Sequence, residues 1–280
     1  MKNKENILKT KSYKEGILRL VMNDPKSKNS LSKQMMDSLM DNIETAYTDD
    51  SVKVIIIAAT GNVFCAGHDL KEMTDARKTK KQGEPYFQEL FDQCSALMKV
   101  IVKCPKPVIA EVSGIATAAG CQLVATCDLA LASSASKFAT PGVNLGLFCS
   151  TPMVALTRAV KNKHAMEMLL TGDFVEAKKA KEIGLINNFF TKDKLKTETM
   201  KMAKKIASKS SIAVMTGKSA FYAQAEKDLA GAYEYASKIM VENLLKKDAK
   251  EGIGAFIEKR KPVVNKLCYQ AILQLYICVM

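Results

Sequence analysis

Two short aliphatic runs set what this chain can fold into. Residues 54–59 (VIIIAA) and 107–112 (PVIAEV) are close to continuously apolar and rich in β-branched side chains. A strand with no polar face belongs inside a parallel sheet covered on both sides. The first run leads through Phe64-Cys65-Ala66-Gly67-His68-Asp69-Leu70 into a helical segment. The second is closed by Ser113-Gly114 and passes through Thr117-Ala118-Ala119-Gly120 into helical spacing from Cys121 onward. Strands alternating with helices up to about residue 140 imply βαβ units and an α/β fold.

The remaining elements follow in order. Residues 16–22 read as the first strand, ended by Asn23-Asp24-Pro25, with 1–15 as a lysine-rich extension outside the fold. Ser32 is placed to cap a helix that carries Met35, Met36, Leu39, Met40, Ile43 and Tyr47 on one face. This methionine stripe reads as core. Residues 74–85 (TDARKTKKQGEP) are polar and read as a solvated loop. Helical periodicity returns over 86–102, where Phe87, Leu90, Phe91 and Leu97 are the apolar candidates for packing or a pocket. Beyond Pro152 the chain is helical over roughly 152–160, 162–171, 176–183, 192–209, 211–225, 228–246 and 248–258, with breaks at Thr171-Gly172-Asp173 and Gly184.

Composition removes several function classes. The 280 residues carry a net charge of +13, but the lysines are spread along the chain without a nucleic-acid-binding signature. The excess charge suits small anions better than nucleic acid, or reflects solvation alone. The eight cysteines form no CxxC pair, and His68 and His164 are the only imidazoles, so no metal site is expected. The cysteines read as small core residues of a reducing compartment. Residues 1–15 contain Glu5 and Glu15 and no arginine, unlike a mitochondrial presequence. No run approaches the roughly 20 apolar residues of a membrane span. The tail 268–280 (CYQAILQLYICVM) is apolar but shorter than that.

The candidate chemistry lies at the two strand-to-helix turns. Small residues there let a ligand approach the backbone. The N–H groups of a first helical turn have no intrahelical partner and suit a negatively charged oxygen. The alternative is a helix packed tightly on a sheet. Glu111, inside the second strand, reads as a partnered structural carboxylate, and Asp69 and Asp128 read as capping or structural acids.

Taken together, VIIIAATGNVFCAGHDLKEM (54–73), PVIAEVSGIATAAGCQLVATCD (107–128), RAVKNKHAMEMLLTGD (158–173), AKKAKEIGLINNFF (177–190) and AFIEKRKP (255–262) resemble the crotonase, or enoyl-CoA hydratase/isomerase, superfamily. The resemblance covers roughly residues 16–262. It implies a ClpP-like spiral of ββα turns to about 190. A helical trimerisation region (191–262) and an atypical tail (263–280) would follow.

The resemblance also implies an acyl-CoA ligand and two backbone amides around its thioester carbonyl, here those of His68 and Ala119. Ala66, His68 and Leu70 would line the coenzyme A site. Lys261, in the run Lys259-Arg260-Lys261, would meet its phosphates across a subunit boundary or else be a solvated helix end. No permanently bound cofactor and no metal are implied, and the assembly would be a homotrimer or a dimer of trimers. The compartment would be the mitochondrion, with the cytoplasm as alternative.

The chain departs from the pattern at the acid/base positions. Gln122 and Gly142 stand where a hydratase carries its two glutamates, and Ser150 stands where some isomerases carry an aspartate. Glutamine orients water but is no general base, and glycine supplies nothing. Three functions stay open on this evidence: an acyl-CoA enzyme that stabilises a thioester enolate without the glutamates, a non-catalytic acyl-CoA-binding or regulatory protein of lipid metabolism, and a hydratase or isomerase retained through other residues.

Overall fold

A computed structural model describes residues 7–263. The strands are Leu8–Tyr13 (β1), Ile17–Met22 (β2), Val54–Ala59 (β3), Val63–Cys65 (β4), Val108–Val112 (β5), Ile115–Thr117 (β6), Leu129–Ser133 (β7), Lys137–Ala139 (β8), Val175–Glu176 (β9) and Asn188–Phe190 (β10). The helices are Lys33–Thr48 (α1), Leu70–Ala76 (α2), Glu84–Lys103 (α3), Ala119–Thr126 (α4), Ser150–Ala159 (α5), Asn162–Thr171 (α6), Ala177–Glu182 (α7), Lys192–Ala207 (α8), Ser211–Ala225 (α9), Leu229–Leu244 (α10) and Lys247–Ile257 (α11).

The strands form two sheets. The larger has the order β1-β2-β3-β5-β7-β10, antiparallel only at β1/β2. The smaller has the order β4-β6-β8-β9 and is parallel from β4 to β8. Consecutive strand pairs β3/β4, β5/β6 and β7/β8 each place one member in either sheet, so the chain winds as the ββα spiral that the sequence implied.

β3 and β5 are buried along their length, as their aliphatic runs require. On one face of the large sheet, Leu20, Met22, Ile55, Ile57 and Val108 join Met35, Met36, Leu39 and Ile43 of α1 in the main core. On the other, Ile17, Val54, Ile56 and Ile109 pack under Ala203 and Ala207 of α8. Ser32 caps α1 through the Met35 amide, as expected. Glu111 is the partnered structural acid anticipated: it sits in β5 and receives Arg19 of β2.

Three boundaries differ from the sequence reading. The fold extends upstream of Gly16, because β1 pairs with β2 through a tight hairpin in which the Gly16 amide donates to Tyr13 O and Gly16 adopts φ +80°. β1 (LKTKSY) is an edge strand with Leu8 as its one buried side chain, so it carries no apolar alternation to read. Residues 74–85 are only partly loop: α2 runs to Ala76, a 3-10 turn spans Lys80–Gly83, and α3 starts at Glu84. The downstream helices lie close to the segments read from the sequence. No helix among the described residues is long and apolar enough to cross a membrane. The tail 268–280 lies outside the described residues.

Candidate functional site

The two strand-to-helix turns meet. The β4–α2 loop is held by hydrogen bonds from Ala66 N to Lys28 O (3.2 Å), from Leu31 N to Gly67 O (2.7 Å) and from the Thr117 hydroxyl to Ala66 O (3.1 Å). Asp69 ends the loop as the cap of α2, accepting from the amides of Lys71 and Glu72. Gly67 adopts φ +93°, and a Cβ built on it would lie 3.0 Å from Ala118 Cβ and 3.4 Å from Ala119 N. The loop that carries His68 therefore abuts the first residue of α4.

The backbone of the second turn is pinned on both sides. Ala118 donates its amide to Ala139 O and accepts from Gln122 N, at 3.0 Å each. Between these bonds it adopts φ +50° and ψ −119°, a region that disfavours any residue with a Cβ. The helix that follows starts at Ala119, two residues before the sequence suggested. Gly120 lies so close to β4 that a Cβ on it would be 2.2 Å from Cys65 O. Among the described residues, neither the His68 amide nor the Ala119 amide donates a hydrogen bond.

The His68 side chain is fixed independently. Its Nδ1 lies 3.2 Å from Leu31 O, and its ring meets Phe91 of α3 edge-on at 5.5 Å. Nε2 is buried without a partner. Burial holds the imidazole below its ordinary pKa of 6.5. The unfolded chain therefore takes up a proton below about pH 6.5 that the native state refuses, and stability falls as pH drops through that range. Melting curves at pH 7.5 and 5.5 should show a smaller acid-induced loss in His68→Asn than in the unmodified protein.

The other candidate residues separate into those near this junction and those away from it. Gln122 lies on α4 one turn beyond Ala119, is 4% exposed, and accepts at Oε1 from Cys94 Sγ at 3.7 Å. Gly142 lies in the 3-10 turn Pro141–Leu145, where a Cβ would be 2.8 Å from Cys149 Sγ and 3.0 Å from Leu147 O. Cys149 occupies the space into which a side chain at 142 would project. Burial raises its thiol pKa, as it does for Cys65, Cys94 and Cys121, each pushed up to about 12. These thiols are core residues, not ready nucleophiles.

Ser150 is an exposed first residue of α5 and donates its hydroxyl back to Phe148 O at 3.3 Å. Nothing in its contacts joins it to His68 or Ala119. Ala66 is half-buried in the loop, and Leu70 is 56% exposed at the start of α2. Lys261 is exposed beyond α11; in its run, Arg260 is engaged by Glu251 and Glu258. No group of three or more His, Cys, Asp or Glu side chains among the described residues is placed to hold a metal.

Three residues not read from the sequence as a unit anchor α9 to the body. Lys218 Nζ donates to Ile101 O (3.0 Å), Lys106 O (3.1 Å) and Asp128 Oδ2 (2.7 Å). The Tyr222 hydroxyl donates to Asp128 Oδ1 at 2.9 Å, and Asp128 Oδ2 also accepts from Val108 N. Only the i, i+4 spacing of Lys218 and Tyr222 hinted that they share a helix face.

Spiral and junction together define an α/β protein of crotonase type. The chain belongs to the enoyl-CoA hydratase/isomerase family, whose profile matches residues 12–266. It is 51% identical over 249 residues to mouse "Enoyl-CoA hydratase domain-containing protein 3, mitochondrial", covering 89% of this chain and 81% of that protein. The crystal structure of the human enoyl coenzyme A hydratase domain-containing protein 3 superposes with a TM-score of 0.87 at 49% identity, over 92% of this chain and all of that one. An enoyl-CoA hydratase structure from Mycobacterium smegmatis gives a TM-score of 0.88 at 45% identity, over 92% and 99%.

Proposed function

We propose that this protein binds an acyl-CoA thioester and holds its carbonyl oxygen between the amides of His68 and Ala119. The observation that supports this reading is the abutment of the β4–α2 loop on the first residue of α4, with no hydrogen bond donated by the His68 or Ala119 amide among the described residues. Pre-aimed backbone donors suit the charge that develops on a thioester oxygen. Ala66 and Leu70 flank the ligand, and Lys261 meets phosphate. The family, and the word mitochondrial in the names of several relatives, support a role in lipid metabolism in that organelle.

Water addition by paired carboxylates is not the activity of this site. Gln122 is not a base, and Gly142 has no side chain, with Cys149 Sγ and Leu147 O close to where one would begin. The cradle stabilises an enolate whatever its origin, and loss of carbon dioxide from a malonyl-type thioester supplies one without a base. A non-catalytic binding role is the second reading, favoured by the same two positions. Exposed Leu229, Tyr233, Met240, Leu245, Phe256 and Ile257 on α10, α11 and the residue that follows α10 support assembly with further copies of the chain as a trimer.

The direct test is calorimetric titration with acetyl-CoA and with coenzyme A alone. Tighter binding of the thioester supports the cradle. Equal affinities, or no binding of either, would refute it.

A further inference from the structure

Ala118 holds a backbone conformation unlike that of the other strained residues. Lys28, Lys81 and Gln82 also have positive φ, but with ψ of 36°, 31° and 29° they rest in the left-handed helical well. Ala118, at φ +50° and ψ −119°, lies outside it. Its angles mirror those of the first central residue of a type II turn, a place dominated by glycine. A residue with a Cβ is strained there and stays only where its surroundings over-determine it.

The surroundings do so from three sides. The Ala118 amide donates to Ala139 O of β8, and its carbonyl accepts from Gln122 N. The preceding residue, Thr117, pairs with Ala139 in the small sheet and donates its hydroxyl to Ala66 O in the loop that carries His68. The methyl group makes the third contact. A Cβ built on Gly67 would lie 3.0 Å from Ala118 Cβ, so the methyl takes the space that Gly67 leaves open. One half-buried methyl is worth less than strain of this kind costs, so packing alone does not account for alanine where glycine would be relaxed.

We infer that Ala118 is the positioning residue of the thioester cradle. The inference rests on the reading of the His68 and Ala119 amides as its donors. The methyl is a spacer that sets how far the His68 loop stands from α4. The strained backbone, bonded on both sides, fixes the direction of the next N–H, which is that of Ala119. Ala118 itself donates nothing to the ligand, since its own amide is committed to Ala139 O. Glycine at 118 would reach the same angles without strain, but it would reach others as readily. The Ala119 amide would then lose its fixed aim, and a donor ordered only on binding gives less than one aimed beforehand. Replacing Ala118 by glycine therefore relaxes the fold while it weakens the cradle. A side chain that only fills space does the opposite on the first count.

The test compares the unmodified protein with Ala118→Gly and Ala118→Ser. It reads the melting temperature and, by calorimetric titration, the preference for acetyl-CoA over coenzyme A. Ala118→Gly should melt at the unmodified temperature or up to about 4 °C above it. It should lose about threefold of the preference, part of the roughly tenfold that the whole Ala119 hydrogen bond is worth, with coenzyme A affinity unchanged. Ala118→Ser keeps the Cβ and should keep the preference.

A glycine variant with the full preference overturns the inference. So does one that melts lower and loses affinity for both ligands alike, which would make Ala118 a packing residue. A serine variant that loses the preference at an unchanged melting temperature overturns it as well. Absence of any preference in the unmodified protein refutes the cradle itself, and that result is read before a variant is made.

Discussion

Replacing Ala119 by proline is expected to remove the thioester site. Ala119 is the first residue of α4, and proline is well accommodated at a first helical position because the N–H it lacks has no intrahelical partner. The substitution deletes one of the two proposed donors, and its ring also crowds Ala118, which stands at ψ −119°, so the melting temperature is read beside the affinity. Ground-state affinity for acetyl-CoA should weaken by up to about tenfold, the worth of one hydrogen bond to a neutral acceptor. Any reaction through a thioester oxyanion should slow by about 10²–10³, the usual effect of losing one such donor. Ala119→Gly keeps the N–H and should retain both properties. Equal behaviour of the proline and glycine variants, with both melting as the unmodified protein does, would remove the Ala119 amide from the site.

Gly120→Ala is expected to damage the fold itself. The added carbon would lie 2.2 Å from Cys65 O and 2.8 Å from Cys65 C, contacts with backbone that no rotamer change relieves. Either α4 or β4 must move, at a cost of about 3 kcal/mol, the upper part of the range for overpacked cores. The melting temperature should drop by roughly 6–12 °C. Since α4 and β4 carry the two turns of the site, ligand binding should fail with it. Gly217→Ala in α9 is the matched control, because nothing lies within 4 Å of its Cβ position. It should melt at or slightly above the unmodified temperature, helped by the better helix propensity of alanine.

The parts of this architecture that were readable from the sequence were those specified by local pattern. The runs at 54–59 and 107–112 announce buried strands because no polar residue falls on either face except Glu111, whose partner Arg19 lies two strands away in the same sheet. The methionine stripe and Ser32 announce α1 by spacing and capping. β1 was hidden because an edge strand exposes most of its side chains and needs no apolar alternation. At the site, the small residues of 117–120 marked a close approach, but not what approaches: Gly120 is required by Cys65 O and Gly67 by Ala118 and Ala119. These contacts join residues about 50 positions apart, so no local pattern records them. The tight space beside Gly142 was equally invisible, since it depends on Cys149 folding back over the Pro141–Leu145 turn. Ala118 carries the opposite lesson: sequence gives no hint that an alanine holds φ +50°, and only the hydrogen bonds on both its sides account for it.

The most direct measurement is mass spectrometry of acyl-CoA thioesters incubated with the purified chain and with Ala119→Pro. The set should span crotonyl, malonyl, methylmalonyl and long-chain enoyl forms. Crotonyl-CoA should be recovered without added water, since neither Gln122 nor Gly142 can exchange the protons that hydration needs. Any product from a malonyl-type thioester should vanish in the proline variant. Rapid conversion of crotonyl-CoA to its hydrated form would contradict the account, because it would require an acid/base pair that this site does not contain.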